Sequence, residues 1–243
     1  MVTFTTFSDI LPDPNNKIMD SGDADPSGTP GPGFASVSIT SNFDTQLNRT
    51  ISGRSVARSS GVHKWDISIR YNPMFRDDFD PVDAFLATRF GRLAPFFVIL
   101  PQYSKPKDST FYTFALSNTL KNLVAYDAGT TAMMIYAPGA ISGNPKPGDM
   151  FTITDASDAN HLKAYKITRV ETDQRYQAAT TAPTTAQKRI HFSPPLQRDV
   201  AINSTINFIN PKFRVNLKND VLEQELNDDG LYSFGLELEE NTP

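Results

Sequence analysis

Between Trp65 and Tyr71 the chain alternates strictly, with Trp65, Ile67, Ile69 and Tyr71 set against Asp66, Ser68 and Arg70. A period of two is the repeat of a β-strand, whose successive side chains point to opposite faces, so this segment predicts a strand with one buried and one wet face. The pattern returns at Phe213, Val215 and Leu217, and again at Phe234, Leu236 and Leu238 against Glu237 and Glu239. Strands of this kind are stable only in a sheet whose apolar face is covered, so the two ends of the chain are expected to share one sheet. The inward phase of Trp65 marks it as a core residue rather than an exposed platform for stacking a sugar.

Upstream, Val37 and Ile39 alternate with Ser and Thr, and a polar stretch runs from Asn48 through Ser59-Ser60-Gly61 to Val62. This predicts a long hairpin with its turn near Gly61. Arg49, Arg54, Arg58, His63, Lys64 and Arg70 make the hairpin basic, although the chain as a whole has 23 basic and 27 acidic residues and a net charge of -4. That balance argues against nucleic acid binding as the main task. The basic hairpin suits an acidic neighbouring subunit or DNA, and Arg49, Arg54, Arg58 and Lys64 are the candidate subunit-interface residues, with a solvated strand face as the competing reading.

Asp80 as cap, Pro81 at the first helical position, a stripe of Val82, Phe85, Leu86 and Phe90, and Gly91 as stop predict the one substantial helix. Phe96 to Leu100, bounded by Pro95 and Pro101, predicts a short central strand covered on both faces. Residues 111–200 change texture. Short strands are expected at Phe111 to Phe114, Ala132 to Tyr136, Met150 to Thr154, Leu162 to Val170 and Arg189 to Phe192, separated by Pro, Gly, Asn and Asp.

The expected fold class is mainly β: a parent sandwich or half-barrel of residues 1–110 and 201–243 with one flanking helix, interrupted at 111–200 by a small β-barrel domain. Residues 12–33, with Pro12, Pro14, Pro26, Pro30 and Pro32 among four glycines, predict a flexible arm. Within it Asp20, Asp23 and Asp25 lack the glycine position and the bidentate glutamate of a calcium loop.

The sequence carries no recognisable catalytic motif. With no cysteine there are no disulfides, thiolate nucleophiles or cysteine metal sites. His63, His161 and His191 are widely separated, and neither a nucleophile elbow nor a phosphate-binding glycine loop occurs. Asp77-Asp78 and Asp228-Asp229 are explained by helix capping and turns. Tyr165-Lys166, Arg169, Lys188-Arg189 and His191-Phe192 place aromatics beside bases, a weak pattern for single-strand binding by a barrel. The expectation is a protein that is not an enzyme and takes no cofactor or metal. Residues 1–7 lack the basic and apolar runs of a signal peptide, and no stretch has the length of a membrane span, so cytoplasmic synthesis without a membrane partner is expected.

The order of motifs resembles phage tail proteins of the distal tail or tube-initiating hub type. The resemblance rests on Trp65-Asp-Ile-Ser-Ile-Arg-Tyr71, Asn72-Pro73-Met74, the helix with Phe85-Leu86, Gly91-Arg92, and Phe96-Phe97-Val98-Ile99-Leu100-Pro101. It continues in Lys146-Pro-Gly-Asp149-Met-Phe-Thr-Ile, Ile190-His-Phe-Ser-Pro-Pro-Leu196 and the closing strands through Glu240. It implies a tail-tube-like fold and a homo-oligomeric ring, with six copies the expected number, that links tail tube to baseplate or tail tip and lines the DNA channel. It further implies a place in the virion tail, assembled in the host cytoplasm, with other tube, baseplate or tip proteins as partners and DNA only passing through the lumen. The alternative expectation is a receptor- or carbohydrate-binding β-sandwich of the tail tip.

Overall fold

Two-residue strands β1 (Lys17–Ile18) and β2 (Thr29–Pro30) lead into two long strands, β3 (Phe34–Arg49) and β4 (Ser55–Tyr71), in a computed structural model that describes residues 9–18, 29–177, 180–220, 225–226 and 230–242. Helix α1 (Arg76–Ala87), β5 (Phe96–Ile99) and helix α2 (Ser109–Ser117) follow. Next come β6 (Lys121–Asn122), β7 (Ala132–Tyr136), β8 (Met150–Thr154), β9 (Ala164–Glu171), β10 (Gln187–Ser193) and β11 (Thr205–Asn207). The chain closes with β12 (Lys212–Leu217), β13 (Glu225–Leu226), β14 (Tyr232–Ser233) and β15 (Gly235–Glu240). The architecture is mainly β and divides into two compact units, one of residues 1–98 with 214–242 and one of residues 99–213.

The first unit is built on a five-stranded sheet in the order β3-β4-β15-β12-β5. β4 and β15 are antiparallel, with Ile67 opposite Leu238 and Ile69 opposite Leu236, so the two alternating patterns put their apolar members on one face. Trp65, Ile67, Ile69, Tyr71, Leu236 and Leu238 are all buried. Helix α1 covers this face through Phe79, Val82, Phe85 and Leu86. The Phe85 ring stands edge-on to Phe96 at 5.5 Å, and Phe79 stacks on Tyr232 at 4.9 Å.

Four expectations need correction in this unit. The hairpin turn lies at 50–54 rather than near Gly61, which is inside β4. Phe43 faces His63 but Thr45 faces Ser59, so the extra residues around Gly61 form a bulge. Helix α1 starts one turn before Asp80, leaving Pro81 inside it; burial of Phe79 against Tyr232 and Phe234 outweighs the one backbone bond that proline removes. Phe90 is outside the buried stripe, exposed in a left-handed conformation (φ 52°) next to Gly91. β5 ends the sheet instead of lying centrally, and its outer edge is sealed because Phe97 donates to Asp9 O at 2.7 Å and accepts from Leu11 N at 2.8 Å.

Part of the proline-rich segment expected to be a flexible arm is hydrogen-bonded structure. The Asp13 carboxylate accepts from Asn15 N and Asn16 N at 2.7 and 2.8 Å, Gly31 N donates to Asp13 O, and β1 pairs with β2. Residues 19–28, with Asp20, Asp23 and Asp25, lie outside the described residues, as do Asp228 and Asp229.

The second unit is a closed barrel in the order β10-β7-β6-β11-β8-β9. It takes in Thr205–Asn207 as β11 and so runs past residue 200, where the inserted domain was expected to end. Phe151 lies at its centre, with the rings of Tyr165, Phe192 and Phe208 each 5.5 to 5.6 Å away. Phe111 to Phe114, expected as a strand, belongs to α2, a second helix of nine residues. Asp108 caps it by accepting from Phe111 N at 2.9 Å, and Gly143 (φ +71°) passes so close that a Cβ there would sit 2.4 Å from Phe111 N. Lys146-Pro-Gly-Asp149 is the turn into β8: buried Asp149 accepts from Lys107 N and Lys146 N at 3.1 and 2.7 Å.

Candidate subunit interface

β15 pairs with β4 only from Asp66 to Arg70, whereas β3 and β4 stay paired out to Arg49 and Ser55. Past Lys64 the hairpin therefore leaves the sheet as a two-stranded ribbon, roughly 25 Å from Asn42 to Arg49 at about 3.4 Å per residue. Its tip is fixed by Thr50 N to Arg54 O and Gly53 N to Thr50 O, both 2.9 Å, with Gly53 supplying the left-handed residue (φ +80°). Every residue from Ser41 to Arg58 is exposed, including the apolar Phe43, Leu47, Ile51 and Val56. A two-stranded ribbon that is wet on both faces is marginally stable by itself and gains most from a partner surface.

Arg49, Arg54 and Arg58 all lie on this ribbon, and residues 45–58 contain no acid. Among the described residues none of the three has a carboxylate within ion-pair distance. The pairings Leu47–Ala57 and Arg49–Ser55 share one face, and Gln46–Arg58 and Asn48–Val56 the other, so each face offers an arginine beside an aliphatic side chain.

Lys64, grouped with these arginines from sequence, is set apart at the root of the ribbon, where its ammonium pairs with Glu239. That hydrogen bond is the main reason the Glu239 carboxyl is held below the usual range; burial opposes it, and Lys218 and Arg92 add to it. Lys218 lies 3.8 Å from Asp66, Asn42 donates to Asp66, and Ser68 donates to Glu237 at 2.6 Å. Lys64, Lys218, Asp66 and Glu239 thus pair among themselves on the wet face of the sheet, whereas Arg70 on the same face has no carboxylate within ion-pair distance among the described residues. On the buried side Glu240 accepts from Trp65 N at 3.1 Å, and His63 is held between Ser41 and the edges of Phe43 and Trp65.

Among the described residues no group of three or more His, Asp or Glu is placed to hold a metal ion. Tyr165 and Phe192, the aromatics that flank basic residues in sequence, are buried and offer no face for stacking a base. The densest charged cluster of the barrel surrounds Glu171, whose side chain is covered. It contacts His191 Nε2 at 2.9 Å, lies 3.7 and 3.8 Å from Arg169 and Arg189, and accepts from Gln177 N and Thr180 Oγ1 at 3.3 and 3.4 Å. Burial pushes its carboxyl up, but the His191 and Gln177 hydrogen bonds with the neighbouring cations hold it below the usual range. The cluster is a clasp for Gln177 and Thr180.

Because Arg169 and His191 are partly exposed, solvent screens the clasp, and Glu171→Gln is expected to cost about 2 kcal/mol at neutral pH. The folded-state value is depressed, so the stabilisation is complete above the carboxyl's unfolded value and is lost as pH falls through the folded one. Urea titrations of both proteins across acid pH should show the gap between them closing as the medium is acidified. A gap independent of pH would mean that the carboxylate charge is not what holds the loop.

No protein-family model matches the chain. It is similar to the distal tail protein pb9 of Escherichia phage T5, with 28% identity over 142 residues, or 57% of this chain and 62% of that protein. The match spans less than two thirds of the relative's length, and it supports a structural role in a phage tail.

Proposed function

We propose that this protein is a ring-forming structural component at the distal end of a phage tail tube, joining the tube to baseplate or tip proteins, and that it acts by assembly rather than catalysis. The observation that carries the reading is the ribbon: an exposed, basic and partly apolar element projects from an otherwise well-packed sheet. In a closed ring such an element is covered by the next copy, which removes its exposed apolar surface. The wet face of the sheet is the side read as facing the lumen, where Lys64, Lys218, Asp66 and Glu239 are engaged with one another and not with passing DNA. The ring number that goes with this reading is six.

Arg54→Glu with Arg58→Glu is expected to leave the fold intact by circular dichroism while weakening ring assembly in light scattering and electron microscopy. Ring assembly unchanged by the double reversal would reduce the hairpin charge to solvated surface. Immunogold labelling of virions should mark the junction of tube and baseplate. Label on fibres would favour the receptor- or carbohydrate-binding alternative, which a glycan titration would then test.

A further inference from the structure

The ribbon needs a surface that is acidic and has apolar area of its own, and the same unit supplies one. Outside residues 45–58 the first unit holds nineteen acidic and eight basic residues, whereas the ribbon holds three arginines and no acid. At the start of α1, Phe75 is 66% exposed, and the exposed Asp77 and Asp78 follow within the first helical turn. Acids there complement the helix dipole in any protein and need no partner for that. Phe75 has no such excuse, since it is the N-cap residue, makes no side-chain capping bond, and leaves a large ring in water. Arg76 pairs with Asp80 at 3.5 Å, and among the described residues no cation pairs with Asp77 or Asp78.

The tip of the ribbon has the complementary layout. Ile51 is fully exposed at the apex of the turn, with Arg49 two residues before it and Arg54 three residues after it; Thr50 is hydrogen-bonded to Arg54, and Arg49 pairs with Ser55. We infer that the ribbon tip of one copy docks on the start of α1 in the next copy, Ile51 against Phe75 and Arg49 and Arg54 against Asp77 and Asp78. This rests on the ring reading and names the contact that makes the ring. The patch that gives and the patch that receives are different, so the contact is heterologous: each copy uses its ribbon on one neighbour and its helix on the other, which is what closure into a ring requires. The opposed charges set the register of docking, and the Ile51–Phe75 contact removes apolar surface from water.

Because the chain has no cysteine, the contact can be trapped with two introduced thiols. Full-length Ile51→Cys protein, carrying a tag to identify it, is mixed with full-length Phe75→Cys protein and oxidised. The expected product is a disulfide between the two different chains at the expense of either homodimer, and a chain carrying both substitutions should give a ladder of linked copies. In parallel, Arg49→Glu with Arg54→Glu, and Asp77→Arg with Asp78→Arg, should each weaken assembly by about tenfold or more, and the four changes in one chain should restore it. Rings that form without the 51–75 crosslink, or that the fourfold variant fails to regain, would overturn the docking assignment and leave the ring reading standing. A wild-type protein that stays monomeric at every concentration tested would remove both.

Discussion

Trp65→Ala should lower the unfolding free energy of the sheet unit by about 3 to 5 kcal/mol, the range for emptying a large aromatic from a packed core. Trp65 is 5% exposed, and its ring meets His63 edge-on at 4.6 Å. His63 in turn meets Phe43 at 4.5 Å and bonds Ser41 at 2.9 Å. These contacts are where the ribbon is anchored, so the variant should also loosen the ribbon's root and weaken assembly. Circular dichroism in urea is the suitable probe, because Trp65 is the only tryptophan and its fluorescence goes with it. A variant within 1 kcal/mol of wild type and defective only in binding would contradict the core assignment of Trp65.

How far the fold could be read from sequence depended on whether a segment has one dry face. The inner half of β4 does, as do β7, β8 and β15, and their alternation or apolar runs located them closely. The outer half of the hairpin is wet on both faces, so no period marks it, and Gly53 and Gly61 compete as turn residues; the bonds of Thr50 decide between them. Helix α2 was missed because Phe111, Tyr112, Thr113 and Phe114 are strand-favouring types, and the available signal was Asp108 as a cap. β6 and β11, at two and three residues, are too short to carry a periodic signal and exist because the barrel needs them to close.

The candidate interface residues divide along the same line. Arg49, Arg54 and Arg58 were legible as an excess of one charge on one hairpin, whereas the pairing of Lys64 with Glu239 joins residues 175 apart in sequence and follows from the β4–β15 register. Phe75 and Asp77 gave no signal, because capping chemistry accounts for acids at a helix start and a single exposed aromatic is ordinary. Their combination becomes visible only when the helix start is placed at Arg76 instead of at Pro81.

In the barrel the largest single effect is expected from Phe151→Ala, again about 3 to 5 kcal/mol. Phe151 is fully buried and its ring is in contact range of Tyr165, Phe192 and Phe208, which come from β9, from β10 and from the segment just after β11. Deleting it removes a ring that meets all three. Tyr165 cannot move in to fill the space, since its hydroxyl is held by His161 Nε2 at 2.9 Å and by Gln197 N at 3.2 Å. A cavity that cannot collapse gives the upper part of the range, whereas Phe151→Leu, which keeps most of the volume, should cost roughly 1 kcal/mol. Amide hydrogen exchange in β8, β9 and β10 is the direct measurement: protection should fall by several orders of magnitude in the alanine variant and by about one in the leucine variant. Equal and small losses in both would mean that the barrel core repacks freely around position 151, contrary to the fixed Tyr165.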